Sequence, residues 1–173
     1  MSWVRKKKKY SKPGNMYDSV RIEEEGNLVA KYGLKNMKEV WKAQTAIDKI
    51  REQAKNTITA EEVDQEKLFD KLDKMGFNVE KISDVLALDG EDWLKRRLQT
   101  IVYEKGLAST IKEARQLVVH GHIKIGDRVV NVPSYVVRVD EEDKIKKTLK
   151  QSKKEGKMAN KEIKKEKENG ERE

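Results

Sequence analysis

Residues 106–126 read GLASTIKEARQLVVHGHIKIG, and a change of period inside this stretch decides the fold. Thr110 and Glu113 stand at capping-box spacing, with a hydroxyl at the cap and a carboxylate three residues on, so the spacing predicts a helix start. Ile111, Ala114, Leu117 and Val118 then recur at three and four, which marks one buried stripe, while Lys112, Arg115 and Gln116 face outward. Gly121 stops the helix, since glycine tolerates the left-handed conformation that ends it. Beyond it the period falls to two. Ile123, Ile125, Val130 and Val132 predict strands, with Gly126-Asp127 as a two-residue hairpin turn. Pro133-Ser134 interrupts, and Tyr135 to Val139 predicts another strand. Upstream, Leu94, Leu98, Ile101 and Val102 form the stripe of a helix that opens near Asp92 and stops at Gly106. Its other side presents Lys95, Arg96, Gln99 and Tyr103, with Arg97 at the margin. Residues 93–150 are therefore expected to form two helices packed on a small, twisted antiparallel sheet.

The preceding residues carry the helical period throughout, so the fold class is α+β, an all-helical domain followed by the mixed one. Ser19 is the expected cap of a helix bearing Ile22, Leu28 and Val29 that ends at Tyr32-Gly33, with Glu23, Glu24 and Glu25 in its first turns. A second helix covers Met37 to Thr57, its buried face being Val40, Ala43, Ile47, Ile50 and Ala54. A third begins after Thr59, with Glu61 and Glu62 in its first turn. It presents Val63, Leu68, Phe69, Leu72 and Met75, and ends at Gly76. Ser83 is the expected cap of a short fourth helix with Val85, Leu86 and Leu88. The organisation read from this pattern is a basic arm at 1–18, a helical domain at 19–92, a mixed helix-and-sheet domain at 93–150, and a charged tail at 151–173 expected to be disordered.

Of the 173 residues, 36% are apolar and 40% charged, so neither core can be large. The formal net charge of +8 favours a polyanionic partner, because each neutralised phosphate releases counterions. The charge is also segregated. Residues 1–12 hold Arg5, Lys6, Lys7, Lys8, Lys9 and Lys12 with no acid, and residues 93–124 are basic as well. Residues 61–92 between them are strongly acidic and suit solvent or a basic neighbour protein. The absence of cysteine excludes disulfides and thiolate metal sites. No apolar run approaches a membrane span, and no apolar region follows the N-terminal charges, so a cytoplasmic protein without membrane contact is expected.

A helix that starts at Ser109-Thr110 offers unpaired backbone N–H groups, two hydroxyls and the positive end of its dipole, all favourable to phosphate. Arg96, Arg97, Lys112 and Arg115 are expected around that start, and arginine forks meet phosphate bidentately or stack on bases. In the arm, Trp3 and Tyr10 flank the lysine run, a pairing that suits single-stranded RNA. His120 and His122 are the only histidines; two ligands without a nearby acid or thiolate make an incomplete metal site, so RNA contact is the preferred reading and no metal is expected. No catalytic constellation or cofactor motif is visible. An RNA-modifying enzyme would need a separate catalytic domain, for which residues 19–90 are too few and too helical.

Four ordered runs carry a resemblance: Gly106-Leu107-Ala108-Ser109-Thr110, then Glu113-Ala114-Arg115-Gln116-Leu117-Val118, then His120-Gly121-His122-Ile123, then Val132-Pro133-Ser134-Tyr135. Together they resemble the family of ribosomal protein four of the small subunit. The run Arg96 to Tyr103, and more weakly Trp41-Lys42-Ala43-Gln44, looks like its archaeal and eukaryotic branch. The resemblance implies a structural component of the cytoplasmic ribosome, not an enzyme. Such a protein binds small-subunit ribosomal RNA early, nucleates assembly, supports translational accuracy, and sits beside neighbouring ribosomal proteins, notably protein five of the small subunit. Its RNA surface would match Arg97, Ser109, Lys112, Glu113, Ala114, Arg115, Gln116, His120, His122 and Lys124. Gln99 departs from the family's frequent Asp, and Ile111-Lys112 from a frequent Arg. Relatives that hold zinc do so through N-terminal cysteines, so the resemblance implies no zinc here. The rival to this reading is a free RNA chaperone or ribosome-rescue factor built on the same module, which would not need residues 19–90.

Overall fold

The computed structural model describes residues 9–58 and 62–148. Trp3 and Arg5 to Lys8 of the arm, Thr59 and Glu61 at the third helix start, and residues 149–173, which include the tail at 151–173, lie outside them. Among the described residues the order is α1 (Ser19–Lys31), α2 (Met37–Thr57), α3 (Glu62–Lys74), α4 (Ile82–Ala87), α5 (Gly90–Lys95), α6 (Leu98–Glu104), α7 (Ile111–Val119), β1 (Ile123–Ile125), β2 (Arg128–Val129), α8 (Val139–Glu142) and β3 (Ile145–Lys147). A helical region thus precedes two helices packed on a three-stranded antiparallel sheet, the α+β arrangement expected from the two periods.

α2 buries the five residues its spacing selects, Val40, Ala43, Ile47, Ile50 and Ala54. Ile47, Ile50 and Ala54 pack with Leu68 and Leu72 of α3, Phe77, Val79 and Val85. The N-terminal half of the same face, Val40 and Ala43, meets Tyr32, Leu34 and Leu94. Half-buried Trp93 joins both groups, so α5 is a shared wedge against α2. The border read at Asp92-Trp93 falls inside α5.

Local details correct several expectations. Asp18, not Ser19, caps α1, its carboxylate accepting the Arg21 N–H at 3.4 Å. No acid therefore falls in the first turn. Ile22 and Val63, expected on buried faces, are exposed at 43% and 54%. Lys81 takes the cap position of α4, where the Asp84 carboxylate receives its N–H, so Ser83 lies inside the helix.

The largest correction concerns the helix expected across residues 92–105. It is broken at Arg96-Arg97 into α5 and α6, and Arg97 is extended (φ −75°, ψ 143°). The cause is a competing backbone partner. Val137 N–H donates to Arg96 O at 3.0 Å, and Leu98 N–H donates to Tyr135 O at 2.7 Å. Arg97 and Val136 form an isolated antiparallel bridge. Tyr135 to Val139 is consequently not a strand of the sheet, and Val139 opens α8. The third strand is instead β3, on the far edge of β1, giving the order β2-β1-β3 with Ile125 opposite both Arg128 and Ile145. Val130 and Val132 lie beyond β2. The core of this domain gathers Leu98, Ile101, Val102, Ala114, Val118, Ile123, Val137 and Ile145.

Candidate RNA interface

Thr110 caps α7 as the spacing predicts, while the Glu113 carboxylate reaches back to the residue before the cap. Thr110 Oγ1 accepts the Glu113 N–H at 3.1 Å, and the Glu113 carboxylate accepts the Ser109 N–H at 2.7 Å. The Ser109 N–H holds the exposed Glu113 carboxyl below the usual carboxylate range. The positive end of the helix is therefore already met by the chain's own carboxylate. The expectation of free N–H groups through Glu113 is corrected to that extent, since the Glu113 N–H is spent on the Thr110 cap.

Along the outer side of α7, Lys112 and Gln116 are exposed, as expected. Glu113, Gln116, Leu117, His120 and His122 line a shallow depression of about 190 Å³. The two imidazoles stand 6.4 Å apart, centroid to centroid. Lys124 follows on β1, on the side opposite the buried Ile123 and Ile125. Glu113, Gln116, His120 and His122 thus share one depression, with Lys112 one turn before Gln116 on α7. Ala114 is not part of it: its side chain is fully buried, because it shares the core face of α7 with Val118. Lys9 is exposed, and the arm beyond it lies against α2 through Tyr10 beside Trp41 and the Ser11 N–H on Thr45 Oγ1.

The arginines expected around the α7 start are placed otherwise. Arg96 turns toward α3 and α8, donating to Met75 O at 2.9 Å and Val137 O at 3.2 Å, and pairing with Glu142 at 3.0 Å. Arg97 is 4% exposed and pairs with Glu39 of α2 at 2.6 Å. Arg115 pairs with the same carboxylate at 2.8 Å and donates to Gln99 Oε1 at 3.2 Å. Gln99 is buried, not outward, and its amide donates to the carbonyls of Tyr32, Gly33 and Ile111. One chain of polar contacts thus runs from the end of α1 through α6 and α7 to α2. Burial alone would raise the Glu39 carboxyl, but hydrogen bonds from Arg115 and Arg97 outweigh it and bring it down to about 2.

Glu39 and Gln99 are the residues that sequence reasoning missed as site builders. Glu39 adjoins Val40 and lies four residues before Ala43, so a carboxylate at the margin of the buried α2 stripe was the available signal. Among the described residues no group of three or more His, Cys, Asp or Glu could hold a metal ion, and no helix is long and apolar enough to cross a membrane.

The chain matches the S4 domain family over residues 96–143. It is 48% identical over 147 residues to small ribosomal subunit protein uS4 of Methanothermobacter thermautotrophicus, covering 80% of this chain and 85% of that protein. The protein of the same name from Sulfurisphaera tokodaii is also 48% identical, with 80% and 82% covered. That from Saccharolobus islandicus is 46% identical over 146 residues, with 80% and 81% covered. The shared identity extends beyond the S4 domain into the helical region, and the chain belongs to the uS4 family of small-subunit ribosomal proteins, in its archaeal branch.

Proposed function

We propose that this protein is a structural component of the small ribosomal subunit in the cytoplasm, where it binds small-subunit ribosomal RNA and nucleates assembly. The observation that carries this reading is identity across both the helical region and the S4 domain. A free chaperone or rescue factor would need only the module. The RNA strip comprises Lys112, Gln116, His120, His122 and Lys124, with Ser109, Thr110 and Glu113 at its head, and the basic run from Arg5 to Lys9 is a further RNA-binding segment of the chain. Long cations beside flat side chains satisfy phosphates and splayed bases together. Arg115 serves the strip from behind by tying α7 to Glu39 and Gln99, while Arg96 and Arg97 hold the break between α5 and α6. Domains at 19–92 and 93–150, the arm at 1–18 and the tail at 151–173 remain the working division. The acidic surface of α3 faces away from RNA and suits a basic neighbour, for which protein five of the small subunit is the family's expectation.

Sedimentation of a cell extract tests the reading. The protein should travel with small subunits and resist low-salt washes; recovery only in the soluble fraction would refute it. Cross-linking within isolated subunits should join α3 to protein and not to RNA.

A further inference from the structure

A cleft of about 180 Å³ lies where α2 faces the Arg97 break and the loop carrying Pro133-Ser134. Its floor is the Glu39 carboxylate with the two guanidiniums it holds. Arg115 is held from behind by Gln99, whose amide is itself fixed on the Tyr32 carbonyl just after α1. Lys42 and Ser134 are exposed, and half-buried Trp93 and Pro133 both line the cleft. The Trp93 ring is braced by Phe77, whose centroid lies 6.0 Å away at an interplanar angle of 17°. The cleft therefore combines an aromatic wall, three cations against one carboxylate, and an exposed hydroxyl.

We propose that this cleft receives one unpaired nucleotide of the bound RNA, with its base against Trp93 and Pro133 and its phosphate at Lys42 and Ser134. The proposal rests on the RNA-binding reading and adds a second contact region, distinct from the α7 strip. A phosphate alone would leave the aromatic wall unused. A base pair within a helix presents no free face to such a wall, whereas a splayed base stacks on an aromatic ring and offers its edges to arginine. The two guanidiniums are neutralised only in part by Glu39, so the floor retains an excess of positive charge for the nucleotide.

Intrinsic fluorescence tests this directly. In full-length W3F/W41F protein, Trp93 is the sole tryptophan. Saturation with in vitro transcribed small-subunit ribosomal RNA should quench its emission, and filter binding on the same samples reports the complex independently. Adding K42A and S134A, both at exposed positions, should weaken binding about tenfold and reduce the quench at matched saturation. A complex that forms with Trp93 emission unchanged would overturn the cleft while leaving RNA binding intact. Quenching and affinity insensitive to K42A/S134A would overturn the assigned phosphate position. Failure of the unmodified protein to bind the RNA at all would overturn the RNA-binding reading, and the cleft proposal with it.

Discussion

Glu39 and Arg97 meet at 2.6 Å although 58 residues of sequence separate them, and the pair couples the helical region to the S4 domain. Arg115 closes on the same carboxylate, so one acid bridges two cations from adjacent segments of the second domain. A pair this enclosed contributes little when intact relative to an apolar substitute, but removing one member leaves buried charge without a partner. E39A should therefore destabilise the protein by about 3 kcal/mol in urea unfolding. A loss within 0.5 kcal/mol, the order typical of an unremarkable surface change, would show that the arginines are satisfied without it.

The pH dependence of stability follows from the same carboxylate. Its folded value, about 2, lies below the ordinary glutamate value of about 4.3. Its stabilisation is complete above about pH 5 and is lost as pH falls toward 2. Other acids titrate in that window, so the informative quantity is the difference from E39Q. Between pH 6 and pH 2 the unmodified protein should lose on the order of 2–3 kcal/mol more than E39Q. Parallel stability curves would contradict the assignment.

Gly33 and Gly126 have nearly the same positive φ, 55° and 58°, yet only one is enclosed. A Cβ on Gly33 would lie 2.8 Å from Ile111 Cγ2 and 3.2 Å from Gln99 Nε2, whereas nothing lies within 4 Å of one on Gly126. Both alanine variants incur about 1–2 kcal/mol of left-handed strain. G33A should cost a further 1–3 kcal/mol, roughly, from overpacking at the junction of α1 with α6 and α7. Equal losses in thermal unfolding would mean that Ile111 moves aside freely.

What the sequence made legible was whatever depends on near neighbours. The α2 face, the Thr110 cap and the glycine stop at Gly121 are each settled within a few residues. The break at Arg96-Arg97 was hidden because Leu94, Leu98, Ile101 and Val102 are buried whether or not the helix is continuous. β3 was hidden because Ile145 is its one apolar residue, and a three-residue edge strand shows no alternation. The roles of Glu39 and Gln99 depend on partners more than fifty residues away in one case and on backbone carbonyls in the other, and neither leaves a local pattern.

Lys112 offers the cleanest measure of the RNA strip, because it is exposed and lies on the outer side of α7, away from the Ala114-Val118 face. Its removal should leave unfolding unchanged within about 0.5 kcal/mol. If its ammonium meets one phosphate, K112A should reduce the slope of log K against log salt by about 0.7–0.9 in filter binding to small-subunit ribosomal RNA. The buried arginines cannot be read this way, since truncating them changes the fold and the charge together. An unaltered slope with K112A would move the phosphate path off α7, toward the arm and the cleft beside Lys42. A reduced slope fixes at least one phosphate beside the Thr110 cap, close enough to the Glu113 carboxylate that E113Q should then raise affinity in low salt.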